Sequence, residues 1–171
     1  ALCHALEALV SRKANWYSDT CATSALKDIG TSLKKACTGD TSARETMSRA
    51  ATMAGLAFGN ASVTLIHGMS RPLGAHFHIS HGLSNALLAP DVTEFSLQGN
   101  QAAYARATLL LFPKERQCND PTNLPKYLAN LNADLGLPTL RQVLSHVKTQ
   151  DFLDLIPRMA AEAIASGSPS R

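Results

Sequence analysis

Apolar residues recur along the chain at the three- and four-residue spacing of amphipathic helices. Near the start, Leu2, Leu6 and Leu9 follow this spacing and predict a helix over about residues 1–11. A helix normally begins after a Ser, Thr, Asp or Asn cap, and no such residue precedes Leu2. We therefore expect the chain to begin inside a helix whose cap, and further sequence, lies upstream.

Cap and stop residues divide the rest of the chain into further helices. Ser18 or Asp19 is the predicted N-cap of a second helix that ends near Gly39. Ser42 and Glu45 have the spacing of a capping box at the start of a third. The third and later helices are predicted over residues 42–58, 61–71, 83–95, 102–112, 124–134, 139–146 and 151–167.

Prolines and turn residues set several of these boundaries. Pro72 is predicted to end the fourth helix and open a loop, and Pro90 to bend the fifth. Thr139 and Asp151 are the predicted caps of the last two helices, and the tail SGSPSR is predicted to be a turn. With no strand pattern and no internal repeat, the sequence predicts an all-α, multi-helix bundle that forms one domain over residues 1–171.

Composition and charge narrow the choice of function. The formal net charge is +3, and the only adjacent basic residues are two separate pairs, Arg12–Lys13 and Lys34–Lys35, so no basic stripe indicates nucleic-acid binding. No apolar run has the roughly 18 residues of a membrane span. The four cysteines lack metal-knuckle spacing, so Cys3, Cys21 and Cys37 are predicted to be small packed residues in a reduced, cytoplasmic protein.

The stretch IHGMSRPLGAHFHISHG holds four of the six histidines. His67 lies near the end of one predicted helix and His81 just before the next, with a proline- and glycine-containing loop between them. Two imidazoles on consecutive elements can share a cation such as Fe, Zn, Cu or Ni. The alternative is that each is a surface histidine or a core histidine with a hydrogen-bond partner. His76 and His78 are predicted to be loop residues at a cleft edge, without a ligand role.

Three blocks of the sequence together resemble the iron-dependent (group III) alcohol dehydrogenases. GLAFGNASVTLIHGMSRPLGAHFHISHGLSNALLAP resembles the metal-binding region of that family, and ALCHALEALVSRKAN resembles the family stretch in which an Asp precedes Ala-Leu-x-His. MAAEAIASGSP is similar to the near-terminal helix and turn. The resemblance covers most of the chain and includes the fourteen-residue gap between His67 and His81.

The resemblance implies a fold, a metal and a reaction. It implies the C-terminal helical domain of the dehydroquinate synthase-like fold. It also implies that His4, His67 and His81 bind Fe²⁺ or Zn²⁺, with an Asp directly before Ala1 as the fourth ligand. The parent enzyme would use NAD(P), bound by an absent N-terminal domain, to oxidise a small alcohol or reduce an aldehyde. The fragment alone is expected to be inactive, with a partly apolar face that favours a homo-oligomer. The competing hypothesis is a non-enzymatic helical module that binds a metal or a partner.

Two positions depart from the family pattern. Many members have a His where this chain has Arg71, one turn after His67. An arginine cannot act as a general base, but it can hold a carboxylate or a cofactor phosphate. The alternative is a structural cation at the end of a helix. Ser80 stands where the family usually has a Pro, which is expected to change the stiffness of the loop more than its chemistry.

Other residues near these histidines have two interpretations. Asn60 and Asn85 are candidates to hold the second nitrogen of a ligand histidine. Glu7, one turn after His4, is either such a partner or a residue of the helix surface. Gly55, Gly59 and Gly68 are predicted to allow close helix packing, and Trp16 and Tyr17 to form a local core or an interface anchor.

Overall fold

The structure, a computed structural model, describes residues 1–167. The described residues form nine α-helices, two short 3₁₀ helices and no strand, as the all-α prediction requires. The α-helices are α1 Leu2–Val10, α2 Trp16–Cys37, α3 Thr41–Ala61, α4 Leu65–Phe77, α5 His81–Ser96, α6 Gln101–Leu111, α7 Leu124–Asp134, α8 Leu140–Val143 and α9 Thr149–Ala165. No described helix is long and apolar enough to cross a membrane.

The long helices α2 and α3 form the central helix pair of the fold. Residues 38–40 join them, and so short a connection folds α3 back along α2. Helix α1 packs against both, and α6 packs against α2. Their apolar faces bury Leu6, Leu26 and Ile29 almost completely. Truncating a leucine in such a core costs about 2–5 kcal/mol, so this cluster holds α1, and therefore His4, in place.

Helix α4 connects the main core to a second, smaller one. Ile66, near its start, packs in the main core, whereas Leu73 packs with Ile79, Leu144 and Met159. Helix α4 also packs against α5 and α9, and α5 packs against α7. Ile66 and Leu73 thus anchor the first turn and the middle of α4 in different cores.

The structure corrects the predicted end of this helix. Helix α4 does not stop at Pro72 but runs through it to Phe77, so the loop predicted between residues 71 and 83 is reduced to residues 78–80. Proline lacks an N–H and usually breaks a helix, but here Pro72 is buried beside Leu73. Packing therefore overrides the local preference. Pro90 also lies inside its helix, α5, as predicted.

Several predicted caps were wrong. Asn15, not Ser18 or Asp19, caps α2. The side chain of Asn15 accepts a hydrogen bond from the backbone N–H of Ser18, and the hydroxyl of Ser18 accepts one from the backbone N–H of Asn15. Asp40 caps α3 instead of Ser42. The prediction for Thr139 is confirmed by a capping box with Gln142.

Further end residues also differ from the predictions. Helix α3 continues through the predicted interruption at Gly59 and Asn60 to Ala61. Helix α9 begins after Lys148, so Asp151 lies in its first turn. The predicted turn at the tail is described only as far as residue 167, and residues 168–171 lie outside the described part of the chain.

The predictions for packing at glycines and aromatic residues were also partly wrong. A Cβ at Gly55 or Gly59 meets no atom within 4 Å, whereas one at Gly30 would lie 2.5 Å from the carbonyl oxygens of Leu110 and Leu111. Gly30 is thus the glycine that lets α2 approach the end of α6. Trp16 is 81% exposed, so it is not part of a local core.

Candidate metal centre

Three histidines from different helices gather at one point. His4 lies in α1, His67 in the first turn of α4, and His81 begins α5. One ring nitrogen from each lies within 4.8 Å of the others. The tertiary fold thus brings together residues that are 63 and 14 positions apart in sequence, close enough for one cation to reach all three with small side-chain adjustments.

The imidazole of His4 has a ring stacked on each of its two faces. It stacks on Phe58 of α3 with 4.3 Å between centroids, and on His67 with 4.5 Å. The rings of His67 and His81 are 5.1 Å apart. These contacts restrict the rotamers of His4, because a ring wedged between two others has little room to turn.

Glu7 is the buried carboxylate that orients His67. Its side chain is 1% exposed, and its Oε1 accepts hydrogen bonds from the Thr64 hydroxyl at 2.8 Å and the Ile66 backbone N–H at 2.7 Å. Its Oε2 pairs with Nδ1 of His67. Because α4 has no side-chain cap of its own, Glu7 also satisfies N–H groups at the start of that helix. The interpretation of Glu7 as a partner of a histidine is thus supported over a surface role.

The Glu7 contact determines which nitrogen of His67 is available. A carboxylate accepts the proton on Nδ1, so in the neutral ring Nε2 of His67 carries the lone pair. That lone pair is directed away from Glu7, into the cluster. A carboxylate behind an imidazole is the arrangement by which proteins orient histidines that bind metals.

Asn85 of α5 contacts the other side of the same rings. Its Nδ2 lies 3.2 Å from Nε2 of His67 and 3.1 Å from Nε2 of His81. Asn85 thus contacts two histidines of the cluster, but the prediction that it holds their second nitrogen was wrong, because it meets the nitrogen that faces the cluster. Asn60 is exposed and its amide donates to the Leu56 carbonyl, so the same prediction for Asn60 was wrong.

The cluster favours neutral imidazoles. Burial, followed by the nearby His67, lowers the pKa of His4 to about 4. Burial also lowers the pKa of His81, with contributions from His67 and then Arg71. Both rings are therefore deprotonated near pH 7, the form that can donate a lone pair to a cation.

The imidazoles form part of the wall of a cavity of about 260 Å³. Asn85 and Asn132 are the other polar side chains in the lining, which contains no Lys, Arg, Asp or Glu side chain. The rest of the wall is mainly apolar and comes chiefly from α2, α3, α5 and α7; its larger residues are Ile29, Leu33, Met47, Leu128, Leu131, Leu135 and Leu137. The sequence did not reveal that these helices share one cavity.

The donor set at this cavity fits a transition-metal cation. Three neutral imidazoles suit Fe, Zn or other divalent transition metals, and they leave coordination positions for further ligands. The buried carboxylate of Glu7 is engaged with Thr64, Ile66 and His67 and serves as an orienting group. The Oδ1 of Asn85 is buried and has no hydrogen-bond partner among the described residues, so the site contains one unsatisfied hydrogen-bond acceptor.

The remaining predicted residues lie outside the cluster of ligand atoms. Arg71 is exposed on α4, near enough to His81 to affect its pKa. His76 lies within α4, not in a loop, and its Nε2 is 2.9 Å from Glu162 of α9. His78, exposed after the end of α4, has a left-handed backbone with φ of 54°. His76 and His78 thus stay away from the imidazole cluster, although only His78 is a loop residue.

Comparisons with known proteins agree with this architecture. The model of the Fe-containing alcohol dehydrogenase family, C-terminal, matches residues 1–170. The chain is 34% identical to 1,3-propanediol dehydrogenase from Citrobacter freundii, over 98% of the chain and 43% of that protein. It is 36% identical to alcohol dehydrogenase 4 of Saccharomyces cerevisiae, over 89% of the chain and 40% of that protein.

Solved structures show the same helical arrangement. A crystal structure of 1,3-propanediol oxidoreductase matches with a TM-score of 0.86 and 32% identity, over 98% of this chain and 44% of that one. The iron-containing alcohol dehydrogenase of Thermococcus thioreducens matches with a TM-score of 0.86 and 31% identity, over 99% and 43%. The chain spans less than half the length of these relatives. It belongs to the Fe-containing alcohol dehydrogenase family and corresponds to the all-α, C-terminal domain of its members.

Proposed function

We propose that this chain is the metal-binding part of an NAD(P)-dependent alcohol dehydrogenase, with His4, His67 and His81 as ligands of a divalent cation. The observation that carries the proposal is the convergence of the three ring nitrogens within 4.8 Å at the wall of an apolar cavity. Iron is the preferred cation because relatives are named as iron-containing, and zinc is the alternative that imidazole also accepts.

The chemistry of the proposed reaction is hydride transfer between an alcohol carbon and nicotinamide. A divalent cation at the three histidines supplies Lewis acidity, which lowers the pKa of an alcohol or polarises an aldehyde. NAD(P) carries the hydride, and its binding site is assigned to sequence outside this chain, because no Gly-rich dinucleotide motif follows a strand among the described residues.

The residues of this chain have separate roles in that proposal. Glu7 keeps the proton of His67 on Nδ1, so that Nε2 stays available as a ligand. Phe58 and His67 restrict the ring of His4 between them. The apolar wall formed with α7 makes the surroundings of the histidines less polar than water, which strengthens electrostatic interactions beside it.

The cavity indicates a small, uncharged substrate. A volume of about 260 Å³ and a lining without charged side chains disfavour phosphorylated or carboxylated compounds, whose charge would lose its solvation there. We propose a short-chain alcohol or aldehyde whose oxygen lies towards the histidines and whose carbon chain contacts residues such as Leu131. Arg71, which is exposed one turn after His67, is proposed to hold an anionic group of the cofactor and not to act as a base.

Metal content tests the ligand assignment directly. The protein as its gene encodes it should be purified in wild-type form and as His67→Ala and His146→Ala. His146 is the matched control, because it is an exposed histidine outside the cluster. The expected result is that His67→Ala loses bound iron or zinc and NAD(P)-dependent alcohol oxidation, while His146→Ala keeps both. Full metal content in His67→Ala would remove His67 from the ligand set. Bound metal without dehydrogenase activity in the wild type would favour the non-enzymatic metal-binding module.

A further inference from the structure

Asn85 is placed to do more than fill space beside the histidines. Its side chain is 5% exposed, and its single amide nitrogen lies between Nε2 of His67 and Nε2 of His81. A carboxamide nitrogen has two hydrogens, and each ring nitrogen accepts one. One amide thus contacts both lone pairs that the proposed metal site would use.

The orientation of this amide follows from its neighbours. Glu7 takes the Nδ1 proton of His67, so Nε2 of His67 is an acceptor. Only the nitrogen end of Asn85 can therefore face that ring favourably, because a carbonyl oxygen there would meet a lone pair. His81 receives the same donor and is thereby held in the same tautomer, with its lone pair also facing the cluster.

The other end of the amide has no hydrogen-bond partner. Oδ1 of Asn85 is buried and accepts no hydrogen bond from any described residue. A buried carbonyl oxygen without a donor is unfavourable, and such groups in native proteins usually have a functional reason. Asn132, which lines the same cavity, differs in that its amide donates to the Ala86 carbonyl at 2.7 Å and does not contact the imidazoles.

From these contacts, and on the basis of the proposed metal site, we propose that Asn85 is a positioning residue that turns over when the site binds a cation. Its N–H groups hold the Nε2 lone pairs of His67 and His81 towards the cation position. When those lone pairs bind a cation, the N–H groups lose their acceptors and their positive ends face a positive charge. A half-turn of the amide then brings Oδ1 to the cation side, where its negative end is favourable.

Two substitutions separate the functions of the two ends of the amide. Asn85→Leu removes both ends at similar volume, and Asn85→Asp keeps an oxygen but loses the N–H groups. Asn132→Leu is the matched control in the same cavity. The protein as its gene encodes it is freed of metal and titrated with Zn²⁺ against a competing chelator. Separately, ¹⁵N-histidine NMR of the metal-free protein reports which nitrogen of each ring carries the proton.

The expected results differ between the variants. Asn85→Leu lowers the Zn²⁺ affinity about tenfold, the lower end of the effect of groups around metal ligands, because it loses the Oδ1 that would face the cation. Asn85→Asp and Asn132→Leu bind at least as tightly as wild type. In the NMR spectra of Asn85→Leu, His81 becomes a mixture of tautomers, whereas His67 stays protonated at Nδ1 because Glu7 still holds it.

Other results would overturn the inference. Unchanged or tighter Zn²⁺ binding by Asn85→Leu, or a single His81 tautomer in that variant, contradicts the role of Asn85 while leaving the metal site intact. Failure of the wild-type protein to bind Zn²⁺ or Fe²⁺ at all contradicts the proposed function itself, so the two failures are distinguishable.

Discussion

The buried carboxylate of Glu7 is the group whose replacement should most clearly connect stability to metal binding. Glu7→Gln keeps the size of the side chain and an oxygen that can accept from Thr64 and Ile66. It places an amide N–H group opposite Nδ1 of His67, where the carboxylate oxygen stood. The donor on the glutamine then favours the tautomer of His67 with its proton on Nε2, which cannot bind a metal through that nitrogen.

The size of the effect follows from the contacts. A hydrogen bond to a charged group contributes about 1.5–3 kcal/mol, and Glu7→Gln replaces the acceptor in one of the four such bonds at Glu7. We expect the free energy of unfolding to fall by about 1–3 kcal/mol and the metal affinity to fall about 10- to 100-fold. Glu7→Leu removes every acceptor and leaves the Thr64 and Ile66 donors buried without a partner, so it should destabilise the protein by about 3–5 kcal/mol.

Urea unfolding of the metal-free protein and chelator competition with Zn²⁺ measure the two effects separately. Glu45→Gln, an exposed substitution on α3, is the control and should change stability by less than about 0.5 kcal/mol. If Glu7→Gln has the stability of Glu45→Gln, the carboxylate is not holding the start of α4. If it is destabilised but binds metal as tightly as wild type, the orientation of His67 by Glu7 is refuted.

Three further substitutions test packing and charge away from the histidine cluster. Gly30→Ala should destabilise the protein, because its Cβ would lie 2.5 Å from two backbone oxygens. Gly55→Ala, where a Cβ meets open space, should stabilise the protein by about 0.5–1 kcal/mol. Urea unfolding measures both variants, and equal midpoints would refute the close approach of α2 to the end of α6 at Gly30. The pKa of Glu162 lies below its ordinary value, chiefly because Arg158 donates a hydrogen bond to it and secondly because His76 does. The contribution of Glu162 to stability is therefore complete above the ordinary carboxyl pKa and is lost as the pH falls through the lowered pKa. Arg158→Ala should raise the pH at which Glu162 titrates, followed by ¹³C NMR, and an unchanged titration would contradict this cause.

Much of the fold could be read from local signals. The apolar spacing around Leu6 and Leu26 predicted α1 and α2, and α7 lies at residues 124–134 as predicted. The errors fell at helix ends, where several candidate caps stand within a few residues and tertiary contacts decide among them. Pro72 is the clearest case: its local chemistry indicates a helix end, but burial beside Leu73 carries the helix through it.

Less of the site could be predicted. The resemblance indicated His4, His67 and His81, and the structure brings those three together. Spacing alone left open whether His67 and His81 meet. No local signal shows that Phe58 stacks on His4, because that contact depends on how α3 crosses α1.

The sequence by itself determined the helical class, the family and the three candidate ligands, since periodicity and motif are properties of neighbouring residues. Tertiary structure alone decided how the polar groups around those ligands are used. Glu7 and Asn85 are ordinary helix residues until α1, α4 and α5 pack together. Burial then removes water as a partner, so each carboxylate oxygen and amide hydrogen must find its partner among the imidazoles and the backbone of the next helix.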